Sequence, residues 1–400
     1  MPKHVKDLDV KGKKVFVRTD YNVPLDSDGN VTDDFRIIAS LPTIEYLLNQ
    51  GAAVILASHL GRPKGSVVPE MSLAPVAKRL KELIKAEIQF APDCIGPDVV
   101  ARAERLKPGQ ILILENLRFH AGETDNDTDF SRGLAELADV YVNDAFGTAH
   151  RAHASNVGMT PYFEQKAAGF LLMKEIDFLV KAIDSPARPF TVVLGGSKVS
   201  GKIDLLKRLA DVADNILIGG GMAFTFLSAA PLNHDVGASL VEADKHQFAT
   251  DVINLCLEKG VNLVLPSDCV ASREIKEDAE CQELPIRSLE GDLMGLDIGH
   301  RTVKSFNTIL ESSKTVLWNG PMGVFEMTPF QEGTRSIAQK LCDITKKGVT
   351  TIVGGGDSAA ALKKFGMDDC VTHTSTGGGA SLELLSGIKL PAFEALKGAK

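Results

Sequence analysis

The chain has 400 residues, of which 44% are hydrophobic, and its formal net charge at pH 7 is −8. Because single hydrophobic cores rarely grow beyond roughly 250–300 residues, this length favours two domains. The acidic balance argues against broad binding to nucleic acid or to anionic membranes, so any cationic site has to be local.

The amino terminus is charged and lacks the apolar segment of a signal peptide, and no apolar run approaches the roughly 20 residues of a membrane span. We therefore expect a cytoplasmic protein. The six cysteines form no C-x-x-C pair and lack the density of a disulfide scaffold. This pattern favours ordinary thiols in a reducing compartment.

Apolar, strand-like runs alternate with helical patterns from end to end. In the first half they are KKVFVRTD, AAVILAS, ILILEN and DVYVND, and in the second half FTVVL, NILIG, VNLVLPS, KTVLWNG and VTTIVGG. Nearly continuous apolar strands indicate burial on both faces, which is typical of parallel sheets covered by helices. The predicted fold class is therefore α/β.

A domain boundary is predicted near the middle of the chain. Residues 169–184 carry apolar side chains at helical spacing, and Pro186 and Pro189 then interrupt the chain before a new strand. We predict a first domain over 1–168, a connecting helix over 169–185 and a second domain over 186–379. The tail 380–400 is too short to form a domain, so we expect it to pack on the first one.

In the first half, four strand-like runs are followed by cationic side chains. The residues after these runs are Arg18, Asp20, Asn22 and Arg36; His59 and Arg62; Arg118 and His120; and His150, Arg151 and His153. The carboxyl ends of parallel strands share one edge of a sheet, and arginine suits carboxylate and phosphate ligands. Any one of these residues alone is more often a solvated loop residue, but the set favours a site for a small phosphorylated hydroxy acid. Asp20 would then accept a hydrogen bond from a substrate hydroxyl, or else pair with Arg18 or Arg36.

In the second half, strands are followed by glycines, as expected where backbone N–H groups approach phosphates. The segment Gly196–Ile203 matches G-x-x-x-x-G-K but has Ile203 where a P-loop needs serine or threonine for Mg²⁺. It is therefore not an ordinary P-loop. Lys198 and Lys202 could still reach phosphates, or they could be two solvated lysines at the start of a helix.

Asp357 is the only acid set directly in a glycine loop, Gly354–Gly356. Mg²⁺ takes one or two carboxylates together with phosphate oxygens and waters, so Asp357 is the candidate ligand, although it could also cap a helix. The same loop fits a relaxed dinucleotide fingerprint. No acid follows at the end of the next strand-like run, which disfavours a dinucleotide oxidoreductase.

Two further segments follow strands in the second half. Gly377–Gly379 open an apparent helix whose free N–H groups suit an anion. The run WNGPMGVFE contains Asn319 and Glu326, and a carboxylate of this kind commonly accepts hydrogen bonds from ribose. Alone, that second signal is weak.

These motifs together resemble the phosphoglycerate kinase family. VRTDYNVPL, SHLGRP, LENLRFHAGE, NDAFGTAHRAHAS, LGGSKVSGK, GGGMAFTF, WNGPMGVFE, GGGDSAAAL and STGGGASLELL occur in the family's order over nearly the whole chain. Ser358 stands where many members have threonine. The sequence of the tail, LSGIKLPAFEAL, matches the family's usual form less closely than the other motifs do. The resemblance implies two Rossmann-like three-layer domains separated by a cleft. It also implies reversible phosphoryl transfer between 1,3-bisphosphoglycerate with Mg-ADP and 3-phosphoglycerate with ATP. We further expect a monomer with no nucleic-acid or membrane partner.

The resemblance also implies the site residues. The triose would be bound by Asp20, Asn22, Arg36, His59, Arg62, Arg118 and Arg151. Nucleotide and Mg²⁺ would be bound by Lys198, Lys202, Gly295, Asn319, Glu326, Gly355, Gly356, Asp357 and Ser358, with Asp357 as the metal ligand. Because the attacking carboxylate is already ionised at neutral pH, the chemistry needs no general base. Our own hypothesis is that charge on the moving phosphoryl group is stabilised by Arg36, by Lys198, by the helix start at Gly377, Gly378 and Gly379, and by Mg²⁺. The rival hypothesis is a non-catalytic metabolite-binding or scaffold protein on the same fold.

Overall fold

A computed structural model describes residues 1–397 and divides the chain into two compact units. One unit is Met1–Asp177 together with the tail that begins at Lys389, and the other is Phe178–Ile388. Residues 380–388 thus pack within the second unit, whereas the sequence-based boundary grouped them with the first domain. The last three residues of that predicted tail, 398–400, lie outside the described residues. Within residues 1–397, no helix is both long and apolar enough to cross a membrane.

The strands are β1 (Lys14–Arg18), β2 (Ala53–Ala57), β3 (Glu87–Phe90), β4 (Gln110–Ile113), β5 (Val140–Asn143), β6 (Lys166–Ala168), β7 (Phe190–Leu194), β8 (Asn215–Ile218), β9 (Asn262–Val264), β10 (Asp268–Ser272), β11 (Gln282–Pro285), β12 (Met294–Ile298), β13 (Thr315–Asn319), β14 (Thr350–Gly354) and β15 (His373–Thr374).

The helices are α1 (Phe35–Asn49), α2 (Ala74–Leu83), α3 (Pro97–Arg105), α4 (Ala121–Thr124), α5 (Thr128–Ala135), α6 (Phe170–Asp184), α7 (Ile203–Val212), α8 (Met222–Ser228), α9 (His246–Lys259), α10 (His300–Ser312), α11 (Glu332–Thr345), α12 (Gly356–Lys364), α13 (Gly378–Leu385) and α14 (Pro391–Leu396). The chain passes from the first unit to the second within α6.

The first unit contains a six-stranded parallel sheet with the order β3-β4-β2-β1-β5-β6. Strands β1, β2 and β5 are buried along nearly their whole length, as their apolar sequences predict. The four strands whose ends carry the cationic residues are neighbours in this sheet, in the order β4-β2-β1-β5. Their carboxyl ends therefore bring those residues to one edge.

The second unit contains a six-stranded parallel sheet with the order β15-β14-β13-β7-β8-β9. The glycine loops follow β7, β8, β13, β14 and β15, so they also gather at one edge. A three-stranded antiparallel sheet, β11-β10-β12, belongs to the same unit and was not predicted. Two units with parallel sheets confirm the predicted α/β class.

The cysteines differ from the expectation in one respect. Cys342, near the end of α11, and Cys370 are bonded to each other, with their Cα atoms 5.0 Å apart. The expectation of ordinary thiols was wrong for this pair, because the two lie 28 residues apart in sequence and meet only in the folded unit. Cys94, Cys256 and Cys269 are buried free thiols, and Cys281 is an exposed one.

Candidate active site

The first unit places a cluster of arginine and histidine side chains around Asp20, just beyond the carboxyl end of β1. The Arg36 guanidinium lies 3.3 Å from Asp20 Oδ2 and donates to the carbonyl of Asn22 at 2.8 Å. His59 Nδ1 lies 3.9 Å from Asp20 Oδ1. The Asn22 side chain accepts from the backbone N–H of Gly61 at 2.9 Å, which ties the loops after β1 and β2 together. We call this set, with Arg118, the anion cluster.

Arg118 joins the anion cluster from the loop after β4. It donates to the carbonyl of Gly61 at 2.9 Å, and within residues 1–397 its buried Nε has no hydrogen-bond partner. Burial and nearby Arg18 lower the pKa of Arg118 to about 10, so the guanidinium remains charged at neutral pH. A charged donor without a protein acceptor fits a site that receives an anionic ligand.

Arg18 and Glu123 lie fully buried next to the anion cluster. Arg18 Nε donates to Ser155 Oγ at 2.7 Å, and its NH2 lies 3.9 Å from Glu123 Oε1. Glu123 accepts from the backbone N–H of Ser155 at 2.9 Å and from its hydroxyl at 2.6 Å. His153 Nδ1 lies 3.8 Å from Glu123 Oε1. A buried ion pair therefore fixes the turn that carries His153 and Ser155.

His59 and the partly buried His153 are both neutral at pH 7. Burial, then Arg18 and Arg118, lower the pKa of His59 well below its usual range. Burial, then Arg118, lower the pKa of His153 to about 4. Because Arg18 NH2 can only donate, His59 Nδ1 at 3.4 Å must accept, which leaves the proton on Nε2 as a donor for a ligand.

Arg62 and Arg151 are exposed beside the anion cluster. The charge of Arg62 contributes to the lowered pKa of Arg118, and that of Arg151 to the lowered pKa of His153, so both lie within electrostatic range. With both histidines neutral, the guanidinium groups outnumber the carboxylates of Asp20 and Glu123. The fold thus places every predicted triose-binding residue at one edge of the sheet. His120 is an exception among the cationic strand ends, because it pairs with Asp93.

The second unit has a cavity of about 270 Å³ at the carboxyl ends of β7, β13 and β14. It is lined by Gly196, Ser197, Lys198, Lys202, Asn319, Gly320, Gly355, Gly356, Asp357, Ser358, Gly378 and Leu382. Most of the predicted nucleotide residues, with Gly378 of the predicted helix start, therefore surround one space. Ser197, Gly320 and Leu382 were not among the predictions.

Hydrogen bonds hold the loops around this cavity. The Asn319 amide donates to the carbonyl of Gly354 at 3.0 Å, and the buried Ser358 hydroxyl accepts from the N–H of Gly320 at 2.7 Å. Gly355 has a φ of 95°, in the left-handed region that favours glycine. A Cβ added there would lie 3.1 Å from the Asn319 amide nitrogen, so a larger residue would also force the Asn319 side chain to shift.

Two helix starts meet at the cavity. α12 begins after Gly355 and α13 after Gly377, so the N-cap residue of each helix is a glycine, which has no side chain to cap the helix. A Cβ on Gly378 would lie 3.4 Å from the backbone nitrogen of Gly356, which shows how close the two starts are. Free N–H groups and the positive ends of two helices favour an anion such as a phosphate here.

The cavity also brings two lysines next to one carboxylate. Burial lowers the pKa of Lys202, and the charge of Asp357 opposes that shift, so these two side chains interact. Lys198 and Asp357 are exposed. A single accessible carboxylate beside a phosphate site suits Mg²⁺, which draws its other ligands from phosphate oxygens and water. The triads of potential metal ligands within residues 1–397, Asp93/Cys94/His120 and Asp268/Glu283/His300, lie elsewhere.

Two predicted nucleotide residues do not line this cavity. Gly295 lies on β12, and its N–H donates to Ser239 Oγ at 2.9 Å. Glu326 is exposed, and its carbonyl accepts from Lys364 Nζ at 2.9 Å.

Sequence reasoning missed Glu123 and gave Arg18 no role of its own. A signal existed for both, because Arg18 ends the otherwise apolar strand KVFVR and Glu123 closes the motif LENLRFHAGE. The sequence does not reveal which of the chain's many carboxylates is buried against Arg18, because that depends on how the loops after β4 and β5 pack against each other.

The chain is similar to known proteins over nearly its whole length. A family model described as phosphoglycerate kinase matches residues 5–388. "Phosphoglycerate kinase 1, chloroplastic" of Arabidopsis thaliana is 53% identical over 397 residues, covering 98% of this chain and 82% of the relative. "Phosphoglycerate kinase, cytosolic" of Triticum aestivum is 53% identical over 390 residues, covering 98% and 96%.

A solved structure has the same fold. The phosphoglycerate kinase from Coxiella burnetii superposes with a TM-score of 0.87 at 40% sequence identity, covering 99% of both chains. These similarities confirm the family that the motifs predicted, and with it the prediction of a phosphotransferase. The chain belongs to the phosphoglycerate kinase family.

Proposed function

We propose that this chain catalyses the reversible, Mg²⁺-dependent transfer of a phosphoryl group between ATP and the carboxylate of 3-phosphoglycerate. The observation that carries the proposal is that one chain contains two different sites for anions. One is rich in arginine and contains Asp20, and the other is lined by glycines and lysines. The first suits a small phosphorylated acid with a hydroxyl group, and the second suits a nucleotide phosphate chain.

The reaction needs no general base. The attacking carboxylate has an ordinary pKa of about 3.5 to 4 and is ionised at neutral pH. One carboxylate oxygen forms a bond to the γ-phosphorus of ATP while the bond to the bridging oxygen breaks, and ADP leaves with that electron pair. The protein therefore acts by positioning the two substrates and by stabilising charge on the moving group.

The triose is held by the anion cluster together with Arg62 and Arg151. Guanidinium groups bind the phosphate and the carboxylate, and the Nε2–H of neutral His59 donates to the same ligand. Asp20 accepts from the hydroxyl group. The network of Arg36, Asn22 and Asp20 forms before substrate arrives, so these side chains lose little further conformational freedom when substrate binds.

The nucleotide phosphates lie against Lys198, Lys202 and the starts of α12 and α13. Asp357 would hold Mg²⁺, which would supply the positive charge that neutralises the phosphate oxygens. Arg36, Lys198 and the N–H groups of Gly377–Gly379 stabilise the transferring group. Gly295 and Glu326 contact other parts of the nucleotide.

The anion cluster and the nucleotide cavity belong to different units, so direct in-line transfer requires the units to close during turnover. Closure also excludes water, which would otherwise hydrolyse the acyl phosphate. α6, in which the chain passes between units, is the expected hinge. Small-angle scattering should show a smaller radius of gyration with both substrates bound than with either alone. An unchanged radius would contradict the closure step.

The pathway is glycolysis, and we extend it to gluconeogenesis because the transfer is reversible. We also propose a cytoplasmic monomer with no nucleic-acid or membrane partner. Relatives at 53% identity include one named chloroplastic and one named cytosolic, so location has to be measured. Sedimentation and cell fractionation test these two points.

The decisive experiment is a coupled assay of ATP- and 3-phosphoglycerate-dependent NADH oxidation through glyceraldehyde-3-phosphate dehydrogenase. Arg36→Ala and Lys198→Ala should each lower kcat roughly 10²- to 10³-fold, because each removes a donor to the transferring group. Arg132→Ala and Lys346→Ala remove exposed charges and should leave kcat unchanged. A normal kcat with only a raised KM in the first pair would contradict the catalytic roles. A folded wild type that binds ATP without turnover would overturn the function.

A further inference from the structure

The edge of the first unit's sheet next to the anion cluster carries a group of side chains that the proposed reaction does not use. Asp93 and Cys94 follow the edge strand β3, and His120 follows its neighbour β4. One ligand atom from each side chain, a carboxylate oxygen, a sulfur and an imidazole nitrogen, lies within 4.8 Å of the other two. His120 Nε2 is 2.7 Å from Asp93 Oδ1.

From this convergence we propose that Asp93, Cys94 and His120 bind a divalent transition-metal cation of the zinc type. Zn²⁺ takes sulfur, nitrogen and oxygen ligands in a tetrahedron, and three protein ligands leave the fourth position for water. Mg²⁺ and Ca²⁺ prefer sets of oxygen ligands, so a thiol and an imidazole select against them. The site is therefore distinct in chemistry from the Mg²⁺ site at Asp357.

The three side chains are already held close to a binding arrangement. The His120 ring packs against Phe130 with a centroid distance of 5.3 Å, and Asp93 Oδ1 accepts from the backbone N–H of Cys94 at 2.6 Å. These contacts fix the imidazole and the carboxylate before a cation arrives. Only a small opening of the Asp93–His120 pair is needed, because the cation takes the place of the proton between them.

A cation can reach the group from one side. Cys94 is buried, while the side chains of His120 and Asp93 are 32% and 48% exposed. His120 also lines an open cavity of about 480 Å³ whose wall includes the carboxylates of Asp125, Asp127 and Asp129. Those carboxylates attract cations locally, although Arg118 and Arg62 stand nearby on the same edge of the sheet.

Binding exchanges a proton for the metal. Burial, then the carboxylates of Asp93 and Glu123, raise the pKa of the Cys94 thiol well above its usual range, so the free thiol is protonated. The thiol proton leaves to solvent, and the thiolate sulfur donates to the cation. The proton that His120 Nε2 shares with Asp93 moves through solvent to Nδ1, so His120 binds as neutral imidazole through Nε2. Charge and protons balance without a further reactant.

Co²⁺ is the test probe, since it takes the same ligands as Zn²⁺ and its bond to a thiolate gives strong charge-transfer absorption in the near ultraviolet. The full-length protein is used without nucleotide and in a Cys281→Ser background, which removes the exposed free thiol. Co²⁺ should produce this absorption, and one equivalent of Zn²⁺ should abolish it. Cys94→Ser should eliminate the absorption, and His120→Ala should weaken Zn²⁺ binding roughly tenfold or more.

His300→Ala is the matched control, because it disrupts the other triad, Asp268/Glu283/His300, and should leave the absorption intact. Circular dichroism of each variant establishes that it is folded. If the folded parent binds no Co²⁺, or binds it without the thiolate absorption, the proposal is overturned and Asp93 and His120 are only a hydrogen-bonded pair. The same conclusion follows if Cys94→Ser retains the absorption.

Discussion

Glu123 supports the turn that lies next to the anion cluster. It is fully buried, it accepts two hydrogen bonds from Ser155, and it faces Arg18 and His153. We expect Glu123→Gln to lower the free energy of unfolding by about 3 kcal/mol, because it leaves buried Arg18 without a counter-charge. The KM for 3-phosphoglycerate should rise while the KM for ATP stays constant. Urea denaturation and steady-state kinetics measure the two effects.

Glu136→Gln is the control for this change, since Glu136 is exposed on the same unit. It should alter neither stability nor kinetics. Equal rises in both KM values for Glu123→Gln would mean that its effect is not confined to the triose site.

Asp297 should make the stability of the chain depend on pH. Burial raises its pKa to about 8, although it accepts from the N–H groups of Ile298 and Gly333. Between about pH 4, the ordinary value for aspartate, and pH 8, the folded chain holds a proton that the unfolded chain has released. Stability is therefore lost as pH rises through this window, at up to about 1.4 kcal/mol per unit.

Asp297→Asn should remove that slope, so the variant gains stability relative to wild type as pH rises from 6 to 8. Urea midpoints at several pH values measure the difference. Asp278→Asn, at a side chain that is 88% exposed, should follow wild type at every pH. A constant difference between Asp297→Asn and wild type would show that the carboxyl is ionised throughout.

At the scale of residues, the sequence predicts which side chains lie at the site better than it predicts the burial and charge around each of them. Arg36, His59 and Arg118 are recognisable because they follow apolar strands, and parallel strands share an edge. That His59 is neutral and that Arg18 is buried beside Glu123 depend on contacts between loops far apart in the chain. Local sequence patterns do not predict such contacts.

At the scale of elements, the start of α13 is a contact surface as well as an anion site. A Cβ on Gly378 would lie 3.4 Å from the backbone nitrogen of Gly356 at the start of α12. That distance is ordinary van der Waals contact, so Gly378→Ala should leave the two helix starts in place and kcat nearly unchanged. Gly355→Ala should instead lower kcat about tenfold, because Gly355 has a φ of 95° and a Cβ there would lie 3.1 Å from the Asn319 amide nitrogen, so the loop before α12 has to shift. Steady-state kinetics compare the two variants, and equal kcat values for them would contradict this account.

The elements that the sequence predicted are those with a strong and simple pattern. The nine predicted apolar runs all contain strands, and the predicted 169–184 helix is α6, Phe170–Asp184. β3, with the sequence EIQF, the short β6 and the antiparallel strands β10–β12 were missed. β3, β6 and β11 have only three or four residues, and β10 and β12, although largely buried, carry Asp268, Ser272 and Asp297 among their five residues each. Their formation depends on neighbouring strands rather than on local preference.

At the scale of the whole molecule, the first unit is built from two separate parts of the chain. The length predicts two domains, but the point at which the tail leaves the second unit depends on contacts. α13 packs against α7 and β14, whereas α14 packs against β6 and the π-helical turn Ala154–Gly158. The tail therefore supports the turn whose Ser155 bonds to Arg18 and Glu123.

Removal of the tail should consequently damage the triose site and spare the nucleotide site. Leu390 and Leu396 are buried, and the N–H of Ala392 donates to the carbonyl of Ala149 at 3.1 Å. A chain that ends at Ile388 exposes the surface beneath these leucines, so we expect a loss of about 3 kcal/mol or more in unfolding free energy. The KM for 3-phosphoglycerate should rise because the Ala154–Gly158 turn loosens. The affinity for ATP, measured by calorimetry, should remain, since every residue that lines the nucleotide cavity belongs to the second unit.

A chain that ends at Lys397 keeps all of these contacts and is the control. Loss of ATP affinity together with triose affinity in the shorter chain would show that the two units do not fold as independently as their separate sheets imply.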